Sequence, residues 1–336
     1  MRRIHALSAA LIAACLALSA CSSTGGAPPV PGQRNGGGGT DASAAPEMTV
    51  AMVSHGAPGD TFWDLVRTGA EDAAAAHNIE LRYSSDPQAP NQANLVQSAI
   101  DAGVDGIAVT LPNAEALGPA AKKAADEGIN VVGLNAGMVE YANYGISSFF
   151  GQDESVAGQA AGERLGGDGA KHVLCVIHEQ GNSSQEARCA GAKQGARDAG
   201  ADTEVETIYV NGMDLTSVQS TLQAKLDQDD SIDWVLGLQA PVSLVAVEAA
   251  SAAGSQARIA TFDTNAELVD AIADGSIAWA IDQQPYLQGY LAVDALWLAK
   301  RNGGVIGGGQ PVFTGPSFVS KDNVELIADA AKAGLR

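Results

Sequence analysis

Positive charge is what this sequence of 336 residues has least of: Lys and Arg total 19 against 39 Asp and Glu, a formal net charge of −20. That balance argues against nucleic-acid binding, because phosphate contacts rest on clustered Lys and Arg. An anionic bilayer repels such a body as well. Long apolar runs are also missing. The uncharged stretch Ala6–Ala20 is too short and too rich in alanine for a membrane span, which needs about 20 strongly apolar residues. Preceded by Arg2, Arg3 and His5, it reads as the basic and apolar regions of an export signal over residues 1–20.

Cysteine is scarce, with four residues in all. Cys15 leaves with the signal. The segment Leu18-Ser19-Ala20-Cys21 resembles a bacterial lipoprotein signal, which implies that Cys21 becomes the lipidated N-terminus, and two or three acyl chains make a stable anchor. Contact with the membrane is then expected through lipid only, on the outer face of the cytoplasmic membrane or in the periplasm. Cys175 and Cys189 remain. An oxidising exterior permits them to pair as a disulfide, worth about 3 kcal/mol by chain entropy, and two buried free thiols are the alternative. Residues 21–47 are dominated by Ser, Gly, Pro and Ala without apolar periodicity, the composition of a flexible tether. The rest of the chain is long enough for two lobes.

From Met48 onward, short runs rich in Val and Ile alternate with Ala-rich stretches of helical period. Strands are predicted over 48–53, 79–83, 106–110, 130–134, 172–177, 205–210, 234–238, 258–262 and 277–281. A helix is predicted over 61–77, its start marked by the capping-box spacing of Thr61 and Asp64. Alternation of this kind gives an α/β fold with parallel sheets covered on both faces. Both a pair of doubly wound lobes and a single (β/α)8 barrel satisfy it. In either, the active surface lies beyond the carboxyl ends of the strands.

What those ends lack is informative. No lysine follows any predicted strand. His178 and Glu179 begin like a zinc-protease motif, but Asn182 stands where the second histidine is required. The glycine-rich stretches 166–169 and 303–309 have no Walker lysine arrangement and read as turns. His55 reads as a hydrogen-bonding wall or a loop residue rather than a base. No cofactor, metal or catalytic residue is therefore expected. An enzyme acting on carbohydrate needs two acids across a cleft, and the strand ends offer Asp86, Glu179 and Asp263.

What is there is mostly amide: Asn113, Asn135, Gln239 and Gln283 sit at strand ends. Sugar hydroxyls both donate and accept, and Asn and Gln offer both functions on one planar group. Asp263 can accept from adjacent hydroxyls, and Arg188 can donate through its rigid fork. Phe62 and Trp63 offer flat faces for a sugar ring, with a core role as the alternative. Asp60 reads equally as a ligand contact or as the cap of the helix that follows.

The stretches Gly59-Asp60-Thr61-Phe62-Trp63-Asp64, Gly106-Ile107-Ala108-Val109, Gly151-Gln152-Asp153-Glu154, Arg188-Cys189-Ala190-Gly191, Thr261-Phe262-Asp263 and Asp282-Gln283-Gln284-Pro285-Tyr286, in this order and spacing, resemble the type I periplasmic sugar-binding proteins of ABC importers, the group of ribose- and autoinducer-2-type receptors. The resemblance implies two doubly wound parallel-sheet lobes joined by a three-crossing hinge. The expected lobes are 48–136 with 284–312 and 137–283 with 313–336. The family's ligand positions fall on Phe62, Trp63, Asn113, Arg188, Gln239 and Asp263, with Asn135 at the first crossing and Gln283 at the crossing back. Asp153 is expected to cap a helix. Asn113 and Glu186 replace an aspartate and an arginine of ribose-type members, which argues against ribose itself. The implied function is capture of a simple sugar or polyol by hinge closure for an ABC permease and its ATPase, by a monomer. A sensor feeding a chemoreceptor or kinase and a secreted (β/α)8 enzyme are the alternatives.

Overall fold

The computed structural model describes residues 47–200 and 202–336. The expected signal peptide, Cys21 and nearly all of the tether lie outside the described residues. Among the described residues, no helix is long and apolar enough to cross a membrane.

Two open six-stranded sheets form the body rather than one barrel. The first contains β1 (Met48–Ser54), β2 (Ile79–Ser85), β3 (Gly106–Val109), β4 (Asn130–Leu134), β5 (Phe149–Gly151) and β11 (Val312–Phe313), in the order β11-β5-β4-β3-β1-β2. The second contains β6 (His172–Ile177), β7 (Glu204–Tyr209), β8 (Trp234–Gly237), β9 (Arg258–Phe262), β10 (Trp279–Asp282) and β12 (Ser317–Ser320), in the order β12-β10-β9-β8-β6-β7. The two orders correspond strand for strand. Pairing is parallel throughout except between β10 and β12.

The first lobe carries α1 (Thr61–Ala76), α2 (Ala89–Asp101), α3 (Ala114–Asp126) and α9 (Pro285–Asn302). The second carries α4 (Glu154–Gly167), α5 (Ser183–Asp198), α6 (Leu215–Gln228), α7 (Ala240–Ala253), α8 (Ala266–Asp274) and α10 (Glu325–Lys332). Strands β1, β3, β4, β6, β8 and β9 are apolar almost throughout because both faces of each sheet are covered, and a separate apolar cluster fills each of the four sheet faces. On α1, Phe62, Leu65, Val66, Gly69, Ala70 and Ala73 turn one stripe toward that core.

Two helix pairs pack backbone to backbone. A Cβ on Gly195 of α5 would lie 2.0 Å from the Gln159 carbonyl oxygen of α4, and one on Gly289 of α9 would lie 1.9 Å from that of Val66 on α1. Helices α4 and α9 each follow a crossing between the lobes, whereas α5 and α1 each carry gap-facing side chains at their N-terminal ends. The glycines thus fasten the hinge to the site.

The crossings run through Gln152 and Asp153, through Gln283 and Gln284, and through Thr314 to Pro316. The first differs from the expected 136/137 boundary. Strand β5 pairs with β4, so residues 137–151 belong to the first lobe, and Asn135 ends an inner strand instead of occupying a crossing. β5, β11 and β12 were not predicted, being two to four residues long and without the alternation or length that marks a strand. The β11 strand also moves the last boundary from 312/313 to the segment after Phe313. The crossings are bonded to one another: the Thr314 N–H donates to the Gly151 carbonyl, and Gln284 Nε2 donates to the Thr314 carbonyl, each at 2.6 Å.

Candidate functional site

Every side chain of the site follows from one topological fact, that the carboxyl ends of the two sheets face each other across the cleft. From the first lobe come His55 after β1, Asp60, Phe62 and Trp63 at the start of α1, and Asn135 after β4. From the second come His178 and Glu179 after β6, Asn182, Ser184, Gln185 and Arg188 at and along α5, Gln239 after β8, and Asp263 after β9, while Gln283 enters from the hinge. Together they line a narrow gap with about 30 Å³ of open space, far below the usual range for ligand pockets, because side chains of the two lobes already meet across it.

Of the nine ligand positions expected from the sequence, all but Asn113 line this gap. Asn113 stands in the wider outer cleft, where its Oδ1 caps α3 by accepting from the Ala116 N–H at 3.1 Å. Glu186 is turned away as well and accepts from the Tyr209 hydroxyl. Asp153 caps α4 through Oδ1. Asp60, rather than Thr61, caps α1: Asp60 Oδ1 accepts from the Phe62 N–H at 3.0 Å, and Thr61 Oγ1 accepts instead from Asn265 Nδ2 of the other lobe. Asp60 Oδ2 accepts from Gln239 Nε2 of the other lobe at 2.6 Å. One oxygen of the carboxylate thus caps the helix while the other reaches across the gap.

Arg188 is held from three sides. Its Nε and Nη2 donate to the two oxygens of Glu154 at 2.6 and 2.9 Å, Nη1 donates to the Leu238 carbonyl at 3.2 Å, and the guanidinium lies 4.7 Å from the centre of the Phe262 ring. Burial opposes its charge, but the bidentate Glu154 carboxylate outweighs burial and raises the pKa. Two of the five guanidinium N–H groups are left for the gap.

Gln283 links the lobes. It accepts from Asn135 Nδ2 at 3.2 Å and donates to Asp263 Oδ1 at 2.7 Å, and Gln288 of α9 donates to its Oε1 at 2.9 Å. Asn135 and Asp263 occupy corresponding strand ends in the two lobes, and both adopt left-handed backbone, φ 62° and 66°. Asn and Asp tolerate that region better than other non-glycine residues, so the turn that aims these side chains selects their type.

Burial dominates the titration of the gap. It pushes the Asp263 carboxyl up to about 7, Arg188 and Gln283 offsetting only part of the effect, and Asp60 up to about 6. It also pushes Glu179 up, but His55, His178, the Asn182 amide and Arg188 together hold that group below the ordinary carboxylate value. Burial lowers His55, and it lowers His178 to about 4. Both imidazoles are neutral near pH 7. Three carboxyl groups without a full ionic partner therefore face the gap, while the one guanidinium is already neutralised.

Phe62 and Trp63 are each only 6 % exposed and belong to the first-lobe core as well as to the gap. Trp63 meets His55 edge to face at 4.7 Å and Phe62 at 5.2 Å. Glu154 and the α5 residues Asn182, Ser184 and Gln185 escaped the sequence reading. A signal existed: Asn182 caps α5 after the first strand of the second lobe as Asp60 caps α1 after the first strand of the first. In the second lobe, Cys175 and Cys189 are joined by a disulfide between β6 and α5, with Cα atoms 5.9 Å apart.

Residues 50–303 match the periplasmic binding protein domain family. Among solved structures, the chain is similar to a carbohydrate transporter from Acidothermus cellulolyticus 11B in complex with myo-inositol, at 50 % identity and TM-score 0.84 over 87 % of this chain and 100 % of that one. It also has the fold of a solute-binding protein from Burkholderia graminis C4D1M in complex with D-arabinose, at 22 % identity and TM-score 0.73 over 83 % and 97 % of the two chains. Among curated proteins it is similar to the xylose/arabinose-binding protein of Sulfolobus acidocaldarius, 23 % identical over 90 % of this chain and 78 % of that one. The match over most of the body makes this chain, with its two parallel-sheet lobes, a member of the periplasmic binding protein family, a family of substrate-binding proteins and not of enzymes.

Proposed function

We propose that the protein is the extracytoplasmic substrate-binding lipoprotein of an ABC importer and that its gap closes on a neutral cyclitol or simple sugar. The observation that carries the reading is that the gap is walled from both lobes and the hinge by acceptor-rich carboxylates and amides, with the single guanidinium neutralised by Glu154. A hydroxylated neutral guest supplies several O–H donors to such walls. A sugar acid would meet Asp60, Glu179 and Asp263 and be repelled. The 50 % identical relative, described with myo-inositol, favours a cyclitol over an aldopentose.

In this reading Asp60, Phe62, Trp63, Asn135, Arg188, Gln239, Asp263 and Gln283 contact the ligand, and Asn113 guards the outer cleft. Ligand bonded to both lobes favours the closed form because only that form makes both sets of contacts. The loaded form docks on the permease. Cys21 carries the lipid, and the protein acts as a monomer.

A thermal-shift series with myo-inositol, scyllo-inositol, L-arabinose, D-ribose and D-glucuronate, followed by calorimetry, tests the ligand. Stabilisation by a neutral cyclitol with none by glucuronate is expected, since ligand at 100 times its Kd adds about 2.7 kcal/mol. Stabilisation by glucuronate alone would refute the reading. Release of the protein from membranes by Cys21→Ala tests the anchor.

A further inference from the structure

His178 holds the clearest unspent group in the gap. Its side chain is 7 % exposed, lines the gap, and follows β6. Three hydrogen bonds fix which of its nitrogens carries the proton. Gln185 Oε1 accepts from the His178 N–H at 3.0 Å and from the Glu179 N–H at 3.1 Å. Two amide donors on one atom identify that atom as the oxygen of the Gln185 amide, so the other atom is the NH2. That NH2 stands 3.1 Å from His178 Nε2 and can only donate to it. Nε2 is therefore the bare nitrogen, and in a neutral imidazole the proton is left on Nδ1.

Nδ1 has no hydrogen-bond partner although it is fully buried. A buried donor without a partner is costly, because it has given up its bond to water and gained none in return. The Cδ2 edge of the ring lies against Gly212, where an added Cβ would come within 3.0 Å of it. With Nε2 given to Gln185 and the Cδ2 side to Gly212, the Nδ1 edge is the one left unspent. The groups around the ring are Glu179, Arg188 and His55; Glu179 favours the imidazolium, while Arg188 and His55 act with burial to keep the ring neutral.

We infer that His178 is a specificity-determining residue whose Nδ1–H, aimed by Gln185, donates to an oxygen of a neutral polyol held in the gap. The inference rests on the proposed capture of a polyol in this gap. Its chemical sense is that each ligand hydroxyl brings lone pairs as well as a proton. Asp60, Glu179 and Asp263 can only accept when ionised, and most of the Arg188 fork is spent on Glu154 and Leu238. A donor that stays neutral and keeps one tautomer answers a hydroxyl lone pair without drawing in a carboxylate ligand.

Two substitutions separate the ring nitrogens. His178→Asn places an amide NH2 near the position of Nδ1 and gives up the bond to Gln185. His178→Gln keeps a polar atom near Nε2 and removes the δ donor. On the purified full chain, calorimetry with myo-inositol is expected to show His178→Asn within about 3-fold of the unsubstituted protein and His178→Gln weaker by about 10-fold. Equal affinity of His178→Gln and the unsubstituted protein, or equal loss in both variants, overturns the assignment. Independently, long-range 15N–1H correlation spectra of the ligand-free chain are expected to show His178 protonated on Nδ1 from pH 6 to 8. Protonation on Nε2 overturns it whatever the variants do. Absence of myo-inositol binding by the unsubstituted protein counts against the cyclitol reading, and the spectra then decide the state of His178 alone.

Discussion

Gln239 donates from Nε2 to Asp60 Oδ2 at 2.6 Å, tying the residue before α7 of one lobe to the residue before α1 of the other. Together with the Asn265 Nδ2 to Thr61 Oγ1 bond at 3.3 Å and the Ser183 N–H to Pro112 carbonyl bond at 3.1 Å, it latches the lobes shut. A hydrogen bond to a charged group contributes about 1.5–3 kcal/mol. Gln239→Ala is expected to weaken ligand binding by at least about 10-fold and to increase the radius of gyration of the ligand-free protein in small-angle scattering. An unchanged radius with unchanged affinity would show that the latch contributes nothing to closure.

Asp263 is a carboxyl whose pKa rises from 3.8 to about 7 in the folded protein, chiefly through burial. Between those values the folded state holds a proton that the unfolded state has released, so stability falls as pH rises through the window and the penalty is fully present above about 7. Asn keeps the shape, tolerates the left-handed backbone and carries no charge. Asp263→Asn is expected to raise the melting temperature of ligand-free protein at pH 8, with the gain shrinking toward pH 4.5, and to weaken ligand binding. Melts showing a gain that does not depend on pH would contradict the buried-charge account.

Glu154 and Arg188 form a buried pair, with side chains 8 % and 5 % exposed. Removing one partner strands the other charge, which costs about 3–5 kcal/mol. Glu154→Gln is therefore expected to lower the urea midpoint substantially at an unchanged m-value, although Glu154 itself does not line the gap. A loss confined to affinity would mean that Arg188 finds another partner.

The contact between α4 and α5 leaves no room for a side chain at Gly195, where a Cβ would fall 2.0 Å from a carbonyl oxygen. Gly195→Val is expected to cost about 1–3 kcal/mol or more by overpacking and to weaken ligand binding too, since α5 carries Arg188. Chemical denaturation and calorimetry on the same preparation check both effects. Full affinity in a destabilised variant would show that the helix can shift without moving the site.

Much of the architecture was legible in the chain because covered parallel strands leave a plain mark. The runs at 48–53, 172–177 and 258–262 are apolar and β-branched, and each is followed by a helical stretch. β5, β11 and β12 left none: they are two to four residues long and hold their places through neighbours distant in sequence, so the first crossing was placed at 136/137. The capping-box reading of Thr61 failed for a related reason, since Asp60 and Thr61 are both competent caps and only the backbone geometry decides between them.

Composition and periodicity by themselves determined that this is an acidic α/β protein with mostly amide side chains at its strand ends. They named His55, Asn135, His178, Glu179, Gln239, Asp263 and Gln283, because a strand end is a local property of the chain. Tertiary structure alone decided between two sheets and one barrel, separated Asn113 from the enclosed gap, paired Glu154 with Arg188, and set the proton of His178 through Gln185. Those outcomes depend on distances between residues remote in sequence and on the exclusion of water around them, and no pattern along a single strand or helix encodes either.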